Sequence, residues 1–342
     1  MEEKVKNIAE YRQKAISQPL VEHIYTADPS AHVFDGKLYL YPSHDIEAGI
    51  PFNNNGDHFG MEDYHVIRID AVGQPVVDCG VALHVKDVAW AERQMWAPDA
   101  AYKNGKYYFF FPAKKHDSIF QIGVAIGDSP EGPFIPEPTA IEGSYSIDPA
   151  VFADDDGQYY MYFGGIWGGQ LQKYRNNIYS ETNELPDKNE PALCPKMARM
   201  TDDLLEFAEP PRDVLILDEH GKPFTEGDNE HRFFEASWMH KYNGKYYFSY
   251  STGDTHFLCY AIGDNPYGPF TYGGYIMTPV LGWTTHHSIC KFKGKWYLFY
   301  HDSTLSEGIT HLRSIKMSEI EYDKKGHIRT INPYIGDISP QY

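Results

Sequence analysis

Five residues able to move protons or hold a cation recur at one place in this sequence. Asp28, Asp99, Asp148, Glu235 and His286 lie 8, 6, 9, 9 and 8 residues ahead of Gly36, Gly105, Gly157, Gly244 and Gly294. Carboxyl groups brought together raise one another's pKa and lose solvation, so such a cluster persists where chemistry or a cation requires it. Two carboxyls in one cavity, one protonated and one ionised, are the equipment of general acid–base catalysis. Taken singly, Asp28 before Pro29 and Asp148 before Pro149 also suit a turn-capping aspartate. Recurrence across five segments is what favours function. Asp99, closing the run Trp96–Asp99, is read as structural and left out of the catalytic set.

The five glycines sit in copies of one pattern: Phe34–Tyr41, Tyr102–Phe109, Asp155–Tyr162, Tyr242–Ser249 and Phe292–Phe299. In four copies an Asp-Gly or Asn-Gly pair supplies the positive torsions of a tight hairpin turn, and the aromatic run that follows has strand propensity. Lys293-Gly294 is the weaker fifth. A second element, Val124–Phe134, repeats as Tyr260–Phe270 and is read as a later strand of the same unit. The turn glycines are 69, 52, 87 and 50 residues apart, and a blade of four short strands takes about 40–50. The reading is therefore an all-β chain, with residues 19–342 a single five-bladed β-propeller. The surplus, Asn53–His65 and Leu171–Asn229, is read as inserted loops, with a small subdomain as the alternative for the second. First strands of propeller blades line a central channel, so the five polar positions are expected to share one cavity. Residues 1–18 form a separate N-terminal segment. Residues 4–16 suit a short helix, either at a subunit contact of a homo-oligomer or as an end that frays.

Composition agrees with this picture. Hydrophobic residues make up 42% and aromatics 15%, with 27 tyrosines, a residue favoured on half-buried strands. A formal charge of −18 repels phosphate backbones and anionic lipid, so no nucleic acid and no membrane partner is expected, whereas a neutral sugar meets no such penalty. No apolar stretch approaches the roughly 18 residues of a membrane helix. The segment Met1–Gln18 lacks the apolar core of a secretory signal. Cys79, Cys194, Cys259 and Cys290 are widely spaced without a CxxC pair, which suits reduced thiols. The expectation is a soluble, cytoplasmic protein.

Taken together, Ala27–Ser30, Trp96–Asp99, Ile147–Pro149 with Asp154–Gly157, Glu235–Ser237 ahead of Tyr242–Tyr247, and His286–Ser288 resemble glycoside hydrolase family 43, over about residues 19–338. That family comprises five-bladed propeller β-xylosidases, α-L-arabinofuranosidases and arabinanases. The resemblance implies that Asp28 is the general base, Glu235 the general acid, and Asp148 the aspartate that orients the acid and adjusts its pKa. It also implies that Arg313 contacts the base or the sugar. Two positions depart from the pattern: Ala236 and Thr285 stand where glycine is usual. The physics agrees with these roles. An inverting hydrolase needs a protonated and an ionised carboxyl about 6.5–9.5 Å apart, which blades one and four of a narrow channel can supply.

The implied activity is an inverting exo-glycoside hydrolase releasing terminal β-D-xylose from small plant-derived oligosaccharides, a step of xylan degradation. α-L-Arabinofuranosidase or arabinanase action is the alternative. Both insertions are expected to close the pocket. Trp96, Trp167 and His287 are candidate substrate contacts, with core packing an equal reading for the tryptophans. The resemblance also implies a divalent ion, calcium by preference, at His286; a neutral histidine bonded to a channel acid is the other reading. Two further readings stay open. A non-catalytic sugar-binding propeller has no reason to hold three acids in one channel, and a retaining hydrolase or phosphorylase would differ in carboxyl spacing or need a basic phosphate site.

Overall fold

Each glycine segment turns between the first two strands of an antiparallel sheet. The computed structural model, which describes residues 8–336 and residue 340, arranges five such sheets as a five-bladed β-propeller. Blade 1 is β1 (Tyr25–Phe34), β2 (Lys37–Asp45), β3 (Asp63–Ile69) and β4 (Val77–His84), in that order. Blade 2 is β5 (Asp99–Lys103), β6 (Lys106–Lys114), β7 (Phe120–Gly127) and β8 (Ile135–Pro136). Blade 3 starts with β9 (Ala150–Ala153) and β10 (Tyr159–Phe163); a small hairpin, β11 (Tyr174–Arg175) and β12 (Ile178–Tyr179), interrupts it before β13 (Lys196–Arg199) and β14 (Arg212–Asp213) complete the sheet. A short strand, β15 (Ile216–Leu217), then runs parallel to the outer strand of blade 4. That blade comprises β16 (Phe233–Tyr242), β17 (Lys245–Thr252), β18 (Leu258–Gly263) and β19 (Phe270–Met277). Blade 5 is β20 (His287–Phe292), β21 (Lys295–Asp302) and β22 (Ser314–Ile320).

The hairpin turns behave as their chemistry dictates, with one exchange of roles. Asp35-Gly36, Asn104-Gly105, Asn243-Gly244 and Lys293-Gly294 all place both residues at positive φ, as a two-residue turn matching strand twist demands. Lysine at φ 48° pays the steric penalty that asparagine and aspartate bear more easily. Asp156-Gly157 is the exception to the tight-turn expectation: only Gly157 is left-handed, and the turn widens to span Asp154 to Gln158.

Strand sequences such as Lys106–Lys114, with five consecutive aromatics, do not alternate because both faces of a blade are buried against neighbours. Tyr39, Tyr41 and Tyr64 of blade 1 pack on Phe109, Phe111 and Phe134 of blade 2. Each buried aromatic stabilises by about 1.5–3 kcal/mol, and continuous inter-blade cores hold the channel-lining strands in place. Blade 5 has three strands of its own, and the chain from Leu20 into the start of β1 runs beside Arg313 and the start of β22, with Leu20 N–H donating to Ile315 O and Thr26 N–H to Arg313 O, both at 2.9 Å. This seam closes the ring. Of the terminal segment 1–18, residues 1–7 lie outside the described residues. Ile8–Lys14 forms α1, whose Tyr11 packs edge-on against Tyr334.

The stretch 171–229 is more than a set of loops. It supplies the outer half of blade 3 through β13 and β14 and an extra edge strand to blade 4 through β15, so its surplus length is spent on blade edges far from the axis.

Candidate active site

The inner strands bend where they meet the channel. β1 bulges between Ala27 and Ser30, β16 between Glu235 and Trp238, and both Asp28 (φ 52°) and Asp148 (φ 57°) are left-handed. Bulges and positive φ re-aim side chains that a regular strand would point into a blade, at a cost of about 1–3 kcal/mol each. Asp28, Asp148, Glu235 and His286 thereby line one cavity of about 220 Å³.

Asp28 is fixed on both oxygens. Arg313 donates to Oδ1 at 2.9 Å and to Oδ2 at 3.2 Å, and Ser43 Oγ donates to Oδ2 at 2.5 Å. Its backbone N–H donates to His301 Nδ1 at 3.0 Å, while His301 Nε2 faces Thr284 O at 3.0 Å, which sets a neutral Nε2–H tautomer. Burial alone would raise the Asp28 pKa, but the Arg313 guanidinium first, and then the neighbouring imidazoles of His301 and His286 and the Ser43 hydroxyl, hold it down at about 2. Arg313 in turn is clasped by the buried Asp45, which accepts from Nε and Nη2 at 2.8 Å each and from the Arg313 backbone N–H at 2.8 Å.

Across the cavity the field is reversed. Burial, with the Asp28 charge added and Arg313 opposing, pushes Glu235 up to about 8. Asp148 is also driven well up, by burial and then by Glu235 and Asp28, although the Ala236 N–H donates to its Oδ2 at 2.8 Å and Arg313 opposes the rise. The charge of Glu235 thus makes the neighbouring Asp148 harder to ionise. Ala236, standing where the pattern has glycine, takes φ 65°, so the alanine adopts the left-handed turn itself to present that N–H. Gly165 lets a neighbouring backbone close on Glu235: a Cβ there would lie 2.6 Å from Ile147 Cδ1 and 3.2 Å from Glu235 Cβ.

Three expectations need correction. Asp99 does not join the cavity; its fully buried carboxylate accepts from Ser30 Oγ, from the N–H groups of Val151 (2.5 Å) and Ala100 (2.7 Å), and lies 2.6 Å from His32 Nε2, tying blades 1, 2 and 3 together. His287 is no substrate contact. Successive strand residues face opposite ways, so with His286 in the cavity His287 points into the blade, fully buried, its Nε2 2.6 Å from Ser249 Oγ. No residue of 171–229 lines the cavity either, whereas the segment between β2 and β3 does, through Phe52, His58 and Phe59.

Of the tryptophans, Trp167 stands at the rim with 41% of its surface exposed, while Trp96 is wedged against Phe59 and Phe120 and donates Nε1–H to Phe59 O at 2.9 Å. Asp45, His301, Asp254 and Trp283 escaped sequence reasoning. They belong to no repeat, and only the register of β2 against β1, which sets Asp45 opposite Tyr25, together with the Thr26–Arg313 seam, would have revealed Asp45. His286 Nδ1 is 3.7 Å from both Asp28 Oδ1 and Asp148 Oδ2, too far to hydrogen-bond, and burial pushes its pKa down to about 4. A neutral, unbonded imidazole nitrogen set between carboxylates is chemically suited to a cation.

The sequence profile described as glycosyl hydrolases family 43 matches residues 79–328. A xylosidase/arabinosidase of Bacteroides ovatus is 63% identical over 313 residues, 91% of this chain and 96% of its own length. An enzyme of Xanthomonas citri solved with xylotriose superposes with a TM-score of 0.94 at 60% identity, covering 98% of this chain and 99% of that one. A β-xylosidase/α-arabinofuranosidase from a compost microbial metagenome, solved with xylotriose in a calcium-free form, gives 0.92 at 62% identity, covering 94% and 99%.

Proposed function

The chain belongs to glycosyl hydrolase family 43, and from that premise we propose that it is an inverting, exo-acting hydrolase releasing terminal β-D-xylose, and α-L-arabinofuranose as a second substrate, from short oligosaccharides. The observation that carries the reading is the opposed protonation of two buried carboxyls in one cavity, Asp28 at about 2 and Glu235 at about 8. Ionised Asp28 takes a proton from water, whose oxygen attacks the anomeric carbon. The glycosidic C–O bond breaks as Glu235 gives its proton to the leaving oxygen. The product carries inverted configuration, and solvent returns both carboxyls to their starting states. Asp148 acts as a positioning residue, holding Ala236 and hence the strand that bears Glu235. Arg313 keeps the base ionised and aimed. A cavity of about 220 Å³ is smaller than the roughly 300–1,000 Å³ of drug-sized sites, which favours a terminal sugar over an internal stretch of polymer.

His286 would hold a divalent ion, whose charge would offset repulsion among Asp28, Asp148 and Glu235. Exhaustive chelation should lower turnover and added calcium restore it, with His286→Ala insensitive to both.

Xylotriose digestion followed by proton NMR tests the main reading. Release of single xylose units with the inverted anomer appearing first is expected, without any requirement for phosphate. A retained anomer, or sugar phosphate as product, would overturn it.

A further inference from the structure

Blade 1 carries a second cluster of chemistry-bearing side chains, apart from the catalytic cavity. Ser43 pairs with Tyr64 across β2 and β3, so the next step of the antiparallel ladder sets His44 against Asp63, and His65, two residues on, shares that face. His44 Nδ1 lies 2.7 Å from Asp63 Oδ1, His65 Nε2 lies 3.9 Å from the same oxygen, and the three donor atoms fall within 4.8 Å of one another. We propose that His44, Asp63 and His65 form a binding site for a divalent first-row transition ion of the zinc class.

Two imidazoles and one carboxylate are the donor set such ions prefer, at about 2.0–2.2 Å per bond, so ligand atoms on a tetrahedral ion stand about 3.3 Å apart. The observed 2.7 and 3.9 Å straddle that value, and side-chain rotation alone can equalise them.

The surroundings carry the argument beyond a chance cluster. His65 Nδ1 is 2.9 Å from Asp78 Oδ1, and Asp78 is itself held by the Gly80 N–H at 2.9 Å and by His23 Nε2 at 2.8 Å from its other oxygen. With the Nδ1 proton committed to Asp78, the lone pair of His65 lies on Nε2, the atom turned toward Asp63. A carboxylate orienting a histidine in this way is the usual second layer of a metal site and makes the ring a better ligand. His84, opposite Asp63 on β4, accepts the Lys86 N–H at Nδ1 and so is not poised as a ligand; water would fill the fourth position. The three ligands are partly exposed, at 12–18% of side-chain surface, which gives an ion a way in. Binding replaces the Nδ1 proton of His44 with the ion and releases that proton to solvent. The ion would then clamp β2 to β3 one residue from Asp45, the partner of Arg313.

The test uses the full-length, chelator-treated protein, titrated with zinc by calorimetry and with cobalt by visible absorption. One equivalent should bind His286→Ala with the intense visible bands of imidazole-ligated, four-coordinate cobalt, and wild type should show the same bands beside whatever ion His286 takes. At about a hundredfold excess over Kd, zinc should raise Tm by about 4 °C. His65→Ala and His44→Gln should abolish this binding, and Asp78→Asn, which removes no ligand, should weaken it about 10–100-fold. All three variants should keep hydrolase activity, which shows that they fold. Failure of wild type to bind a stoichiometric ion, or four-coordinate cobalt bands that survive His65→Ala and His44→Gln, would overturn the assignment. Loss of all binding in His286→Ala would do so too.

Discussion

Replacing Glu235 with glutamine should make the protein more stable while removing its acid, and the size of the gain should depend on pH in a defined way. The Glu235 carboxyl is displaced by burial and by the charge of Asp28 from 4.5 to about 8. A group whose pKa is higher in the folded state contributes stability that is fully present below its unfolded pKa and disappears as pH rises through the folded value. Between pH about 4.5 and about 8 the unfolded chain has lost this proton and the folded chain still holds it, so folding becomes progressively harder. At pH 7 the gap is about 2.5 units, which at 1.36 kcal/mol per unit destabilises by about 3 kcal/mol relative to a side chain that never ionises. Above pH 8 the full displacement gives about 5 kcal/mol, and the curve is flat thereafter. For 342 residues an unfolding entropy of about 0.7 kcal/mol/K converts these to Tm increases of about 5 °C and about 7 °C. Scanning calorimetry of wild type and Glu235→Gln from pH 4.5 to 9 measures this directly. Equal Tm values at pH 4.5 that diverge to pH 8 are expected. A difference independent of pH, or a variant less stable throughout, would refute the electrostatic account of this site, because it would mean that wild-type Glu235 is not held protonated. The gain belongs to the Asp148–Glu235 pair as a unit, since removing one carboxyl also frees the other to ionise.

Glu235→Ala should slow hydrolysis of xylo-oligosaccharides severely and of activated aryl xylosides far less, whereas Asp28→Asn should abolish both; equal losses on both substrates in Glu235→Ala would sink the acid assignment. In wild type, kcat/KM should fall as pH rises through about 8, where Glu235 loses its proton, and hold on the acid side until Asp28 is protonated near 2 or the fold fails. Asp45→Asn should cost about 2–3 kcal/mol of stability and lower kcat more than it raises KM, because Arg313 loses a two-pronged buried partner while the sugar contacts stay; an unchanged kcat would show that Asp28 needs no such support. Gly165→Ala should lower kcat at least tenfold by pressing on Ile147 and Glu235, about 1.4 kcal/mol or more of misplacement, and a kinetically silent variant would show the backbone gives way freely.

Much of this was legible in the sequence because two simple regularities coincide. Turn glycines mark the first hairpin of each blade, and the residue a fixed distance before them reaches the axis; that pairing located Asp28, Asp148, Glu235 and His286. It failed at Asp99, which stands closer to its turn glycine than the other four and opens the regular strand, so its carboxylate lies between blades, and at His287, where one residue of alternation reverses the side chain. Trp167 was found as an aromatic near the channel, while Phe52, Phe59 and Trp283 line the cavity from outside any repeat. Asp45 and the His44, Asp63 and His65 group depend on which residues face each other across strands. Composition and spacing do not carry that register. The insertion 171–229 misled because length was taken as a sign of reach, when its apolar pieces, Met197 and Ile216 among them, were already committed to blade cores.

The seam that closes the ring bears on when this protein can first work. Asp28 and the arginine that aims it are 285 residues apart in the chain, and they meet because Thr26 pairs with Arg313 itself. Contacts of such long sequence separation form late. As the chain leaves the ribosome, blades 1 to 4 can assemble with three of the four cavity groups in place while the base still has no guanidinium beside it. A nascent chain that ends before Arg313 would hold an Asp28 without its guanidinium beside Asp45, two like charges that push the first blade open rather than shut. Synthesis of the stretch that carries Arg313 and β22 therefore completes the barrier to unfolding and the catalytic base in one event, so hydrolytic activity and resistance to proteolysis should appear together in translation and be lost together when the chain is cut back past Arg313.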